Sequence, residues 1–246
     1  KLVSKEKIEA VIITNSCYLK QPLWLWDMSK IKVHYFYYST APLIPISSEE
    51  CYKDFAALEL QSLFVAPSKH WVWTETDRII LENNYLQKDI EVVGIPSFSF
   101  KINNNFKEKN IIIFDVNPVT GSRNKQLGNI ESYFTESRMI KFIDHIIECL
   151  TQIASSRETS YEIILKRKRS YVHSEMKTYF NFITDLEKEL ENFTITNNFN
   201  FLNSKLNQNT VCIGIPFNSA SFAVANLGIN SIFFDPDDEL LNPYEL

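Results

Sequence analysis

The hydrophobic and polar positions along the chain switch between two periods. Four short apolar runs open it: EAVIIT (Glu9–Thr14), KVHYFYYS (Lys32–Ser39), HWVWT (His70–Thr74) and IEVVGI (Ile90–Ile95). They are β-branched or aromatic and bounded by polar residues, which predicts buried strands. Thr74, with Asp77 three residues on, reads as the N-cap of a helix that continues into RIILENNYL. SFKINNNFKEKN (Ser99–Asn110) is polar and aperiodic and reads as a linker, with a boundary at residues 101–110. The alternation then restarts with IIIFD (Ile111–Asp115). Ile140, Ile143, Ile147, Leu150 and Ile153 recur at helical spacing, and so do Tyr179, Phe182, Ile183, Leu186 and Leu190. YEIILK (Tyr161–Lys166), FTIT, TVCIGI and SIFFD complete the strands of this half. Strands alternating with long helical patterns predict an α/β protein with parallel sheets. The expected organisation is two Rossmann-like domains, over residues 1–100 and 111–246.

Composition narrows the class without naming an activity. The 246 residues are 45% hydrophobic and 22% charged, with net charge −5. That is an ordinary globular balance, and the charge speaks against bulk nucleic-acid binding. Cys17, Cys51, Cys149 and Cys212 lie far apart in apolar runs without metal-ligand spacing. They are expected to be reduced core residues of a cytosolic protein. No apolar run is long enough to span a bilayer, and KLVSKEKIEA lacks the shape of a signal peptide. The chain opens on Lys1 and stops at NPYEL just after a strand-like run. That leaves open that it is a piece of a longer protein and that its first domain is incomplete.

Candidate chemistry concentrates at two strand-to-loop corners. In VCIGIPFNSASFAVANLGINSIFFD (Val211–Asp235) an apolar run ends in Pro216-Phe217, and Asn218, Ser219 and Ser221 then open a small-residue helix. Ligands of open parallel sheets bind beyond the carboxyl ends of the strands. A helix start there offers unpartnered amides and a partial positive charge to a phosphate. Asn218 or Ser219 is expected to cap that helix and Gly228 to end it; Ser and Asn are also the commonest caps in any protein. Lys166, Arg167, Lys168 and Arg169 directly follow the strand YEIIL. They are either a solvated basic loop or, beside the polar corner, a grip for a multiply charged anion.

With these residues in view, the chain resembles the bacterial polysaccharide-biosynthesis family named after a Pro-Phe-Thr-Ser motif. IPFNSASFAVANLGINSIFFDP is similar to that family's signature, LKRKR to its basic motif and IIIFDVNP to its Phe-Asp-Val-x-Pro strand. HYFYYSTAPLIP and HWVWT resemble two further family segments, so the likeness spans Lys32 to Pro236. The resemblance implies a likeness to GT-B glycosyltransferases, with two Rossmann-like domains facing across a cleft. It also implies kinship with enzymes using CMP-activated sugars, such as Kdo and sialic-acid-type transferases. It carries phosphate or nucleotide binding to Lys166, Lys168 and Arg169 and to Pro216, Phe217 and Ser219. Asn218 stands where the family has Thr, and Arg167 where it has Pro.

A transferase must stabilise a departing nucleotide phosphate, deprotonate an acceptor hydroxyl and exclude water. Lys166 and Arg169 would act electrostatically, while Ser219 and Ser221 orient the phosphate. Asp115, at the end of a strand, is the leading candidate for the acceptor base or for orienting one; an Asp capping the following loop is the other reading. His70 and Glu75 are further candidates. Trp24, Trp26, Trp71 and Trp73 could stack on a sugar or serve as core. Asp235-Pro-Asp237 imitates an Asp-x-Asp metal motif, but no metal is expected. The expected partners are a CMP-sugar donor, used as substrate with no cofactor, and a glycan or lipid-linked glycan acceptor of lipopolysaccharide or capsule type. The expected place is the cytoplasm, with peripheral association at the inner membrane left open. A UDP- or GDP-sugar donor and a noncatalytic, degenerate transferase module are the alternatives.

Overall fold

The computed structural model describes residues 8–15, 31–37, 69–84, 89–95, 100–118, 134–157, 160–169, 176–216 and 218–238. They fall into two compact units, the first ending by Pro96 and the second running from Ser97 to Leu240.

The first unit holds a parallel sheet of β1 (Ala10–Asn15), β2 (Lys32–Tyr37), β3 (Lys69–Val72) and β4 (Ile90–Val92), in that spatial order. Helix α1 (Glu75–Asn84) joins β3 to β4. Its start is a reciprocal cap, as the sequence predicts. The Thr74 amide donates to Asp77 Oδ2 (2.8 Å) and the Asp77 amide to Thr74 Oγ1 (3.1 Å). Val33, Val72 and Trp73 are buried. The expectation of buried strands fails at the outer strands, where Ile12 is 58% and Val92 40% exposed. An outer strand has a neighbour on one side only, and apolar content alone does not reveal that.

The second unit holds a five-stranded parallel sheet in the order β7-β6-β5-β8-β9. Its strands are β5 (Asn110–Phe114), β6 (Glu162–Lys166), β7 (Phe193–Thr196), β8 (Val211–Gly214) and β9 (Asn230–Phe233). β5 is buried at every position, which is why it reads as an unbroken apolar run. Ile111, Ile113, Ile163, Leu165 and Ile213 share a core with α2 (Glu136–Arg157) and α3 (Lys177–Glu189). α2 buries Met139, Phe142, Ile143, Ile146, Ile147 and Leu150, whereas Ile153 is exposed. The apolar arc is thus turned toward Met139 and Phe142 from the isoleucine stripe that spacing picks out.

α4 (Phe199–Lys205) lies between β7 and β8 and was not expected from NNFNFLNSK. Asn198 starts it by accepting from the amides of Asn200 (2.9 Å) and Phe201 (3.3 Å). α5 (Ser219–Asn226) joins β8 to β9. Gly228, at φ +78°, ends it as expected: its amide donates to Ala225 O (2.9 Å) and that of Ile229 to Val224 O (3.2 Å). This is the paired closure in which a glycine takes the left-handed position.

Residues 100–109 carry no helix or strand, yet they are bound to the second unit. Phe100 packs on Phe114 (5.8 Å) and Phe199 (5.5 Å). The Asn103 amide donates to Leu206 O (2.7 Å), and Asn207 and Asn209 donate to Glu108 O (3.0 Å) and Lys107 O (2.8 Å). Cys212 is buried, and burial raises its thiol pKa far above the ordinary value. Cys149 is exposed on α2, which corrects its assignment to the core. Cys17 and Cys51 lie outside the described residues.

Candidate functional site

The second sheet changes winding direction between β5 and β8. The chain leaves β5 outward through β6 and β7, then crosses back to β8 and β9. Loops at such a point diverge to opposite faces and open a crevice at the carboxyl edge. Phe114 pairs with Lys166 on one side and Gly214 on the other. Asp115, the basic loop after β6 and the polar corner after β8 therefore leave the sheet at one level. At the usual strand spacing the ends of β6 and β8 stand roughly 10 Å apart.

Asp115 lies at the base of this edge and is only 5% exposed. Its Oδ1 accepts from the Lys168 amide (2.6 Å) and its Oδ2 from the Tyr179 hydroxyl (2.8 Å). Burial raises the carboxyl pKa, opposed by those two hydrogen bonds and by the charges of Arg167 and Lys166. A carboxylate occupied at both oxygens fastens a loop. The loop it fastens is the one after β6, so the contact differs from the expected capping of the loop that follows Asp115.

The four cations divide into two pairs. Lys166 is 6% exposed; its ammonium donates to Arg167 O (2.6 Å) and lies over the Phe199 ring at 4.6 Å. Burial lowers its pKa, against the pull of Asp115. The Arg167 guanidinium lies over the Phe180 ring at 4.3 Å. Lys168 and Arg169 are exposed. The inner pair packs against aromatic rings, and the outer pair is exposed. Lys166 lies two positions after Ile164 and so shares a face of β6 with it, a face that is buried at both.

The polar corner is equally specific. Asn218 caps α5: its Oδ1 accepts from the Ser221 amide (2.9 Å), and its Nδ2 donates to Ile215 O (2.9 Å) and Ser221 Oγ (2.9 Å). Ser221 is 1% exposed, turned toward the end of β8. A Cβ on Gly214 would overlap both Asn218 Nδ2 and Ser221 Oγ, so the corner folds into the space that glycine leaves. Ser219 is half-buried at the first helical position. Phe217 lies outside the described residues, as do Trp24 and Trp26.

His70 and Glu75 belong to the first unit. His70 is buried in β3, and exposed Glu75 is paired with Arg78, which lowers its pKa. Trp73 is core, while Trp71 stacks on His34 at 4.9 Å and donates to Glu91 (3.2 Å). Asp237 is bound by Arg138 and Lys141 of α2, which lower its pKa and occupy both its oxygens. Among the described residues, no group of three or more His, Cys, Asp or Glu could hold a metal ion. No helix among them is long and apolar enough to cross a membrane. Sequence reasoning missed Tyr179 as part of this edge, placing it in a core stripe. The available signal was its hydroxyl, which needs a partner when buried.

Two parallel sheets flanked by helices, one reversing its strand order beside a basic loop and a capped polar corner, define an α/β protein of Rossmann-like architecture. The profile of the polysaccharide biosynthesis PFTS motif proteins matches residues 1–246, so the chain belongs to that family and is associated with polysaccharide biosynthesis. Its version of the naming motif reads Pro216-Phe217-Asn218-Ser219. No curated protein matches the chain closely enough to assign a narrower activity.

Proposed function

We propose that this protein is a glycosyltransferase of the GT-B type, using a CMP-activated sugar of the Kdo or other nonulosonate class. Its acceptor is a bacterial surface polysaccharide or lipid-linked glycan, and the second unit binds the nucleotide. The observation that carries this reading is the common level of Lys166, Phe114 and Gly214, from which the basic loop and the polar corner both depart. A phosphate there meets the exposed cations Lys168 and Arg169 from one strand end, and the Ser219 hydroxyl and first amides of α5 from the next. As the sugar leaves, charge grows on that phosphate, and fixed donors stabilise it most at that stage. The reading is metal-independent: the single phosphate charge of a CMP-sugar is balanced by cations, a hydroxyl and helix amides. Lys166, Asn218 and Ser221 shape the edge from behind, and Asp115 holds the loop. His70 and Glu75 remain acceptor-side candidates. Cytoplasmic placement, with peripheral contact at the inner membrane, belongs to the same proposal.

The inward turn of Lys166 and Ser221 favours a second reading, a noncatalytic module whose motif residues only build the edge. Thermal shift with CMP, UDP and GDP separates the readings. Selective stabilisation by CMP supports the first, stabilisation by UDP or GDP changes the donor, and no response to any of them favours the second. Arg169→Ala and Ser219→Ala are each expected to weaken CMP binding, the former about tenfold or more as a lost charge-assisted bond. The melting temperature of the free protein should stay nearly constant. Unchanged affinity in both variants overturns the site.

A further inference from the structure

We propose that Tyr179 is a positioning residue for the basic loop, acting through Asp115, an inference that rests on the nucleotide reading above. Tyr179 is fully buried on α3, and its hydroxyl donates to Asp115 Oδ2 at 2.8 Å. The other oxygen of that carboxylate accepts from the Lys168 amide at 2.6 Å. One carboxylate thus ties the third helical residue of α3 to the backbone of the loop that carries Lys168 and Arg169. The tie is stiff at its helical end. α3 has no side-chain cap of its own, and the Tyr179 amide donates to Glu136 Oε1 of α2 at 2.6 Å. A neighbouring helix therefore satisfies an amide that the helix start would otherwise leave open. The next residue, Phe180, lies beneath the Arg167 guanidinium. Consecutive residues of α3 thereby hold consecutive residues of the loop, Tyr179 through a carboxylate and Phe180 through its ring.

Without the tie the loop would still exist, but its outer cations would sample more directions. An anion would then have to order them, and the ordering cost is subtracted from affinity. Tyr179 touches no ligand in this arrangement, so its removal should act on binding only while the outer cations remain. Removing the hydroxyl of Tyr179 also leaves Asp115 Oδ2 buried with one fewer donor, which drives the carboxylate out of its present orientation.

The test is CMP titration of four chains: wild type, Tyr179→Phe, Arg169→Ala and the double variant. Tyr179→Phe alone should weaken CMP roughly fivefold, and the same change in the Arg169→Ala background should add little, since coupled residues fail to add. A merely structural tyrosine would lower the melting temperature without moving CMP affinity, or would give additive losses, and either result overturns the proposal. Phe180→Leu serves as a second variant should Tyr179→Phe fold poorly, with the same non-additive loss expected. Absence of CMP, UDP or GDP binding in the wild type overturns the nucleotide reading and the positioning role together. Wild-type binding with unaltered Tyr179→Phe and Phe180→Leu affinity overturns the positioning role alone.

Discussion

The two sheets share strand type and direction but differ in winding, and the difference decides where chemistry can gather. β1 to β4 follow one another in sequence and in space, so among the described residues the first sheet never reverses. The second reverses between β5 and β8 and there brings a basic loop and a polar corner to one level. Burial instead follows position within each sheet, since the outer strand β9 of the second sheet also exposes Ile232. β5 is enclosed along its length, whereas β1 exposes Ile12 and β4 exposes Val92. A central strand with neighbours on both sides makes a rigid floor, and a crevice at its end inherits that rigidity.

The sharpest way to break this comparison is to shorten one isoleucine in each sheet. Ile113→Ala, in the closed core of β5, should cost about 2–5 kcal/mol, and Ile12→Ala, exposed on β1, about 1 kcal/mol or less, read by denaturant unfolding. Similar losses at the two positions would mean that the outer strand β1 is as enclosed as the central strand β5. Next in size are the glycines beyond β4 and at the end of β8. Gly214→Ala is limited by space and should cost about 1–3 kcal/mol while also weakening nucleotide binding, because it displaces Asn218 and Ser221. Gly94→Ala meets no atom within 4 Å but is strained by its φ of +90°, and it should lose stability alone.

The smallest effect is in pH dependence. Asp115 has a raised pKa, so its stabilising contribution is full below the ordinary carboxylate value and fades as pH rises through the folded one. Asp237 has a lowered pKa, so its contribution is full above the ordinary value and fades as pH falls through the folded one. Melting temperatures between about pH 3 and 8 should therefore flatten on the alkaline side in Asp115→Asn and on the acid side in Asp237→Asn. Identical profiles for the two variants would contradict the opposite environments of these carboxyls.

Much of this edge was legible before any coordinates. Uninterrupted apolar runs located β5, β6 and β8, the pair Asn218 and Ser219 announced a helix start, without saying which of them caps it, and Gly228 its end. What escaped has physical reasons. α4 is short and rich in asparagine, and its one strong signal, the Asn198 cap, looks like any turn residue. Ile12 and Val92 read as buried because apolar content does not say whether a strand has one neighbour or two. The bond between Tyr179 and Asp115 spans 64 positions, and no local period records such a pairing. The aperiodic asparagines at 103 and 207 gave no hint that each would donate to a backbone carbonyl of the second unit.

The interlocking of Gly214, Asn218 and Ser221 also bears on how this corner can change over generations. A side chain at 214 becomes tolerable only once 218 and 221 have shrunk, and a smaller residue at 218 strands the partner at 221. Descendant sequences should therefore alter these three positions jointly or hold them fixed, which makes the naming motif part of an inheritance unit that reaches two positions beyond each end of its four letters.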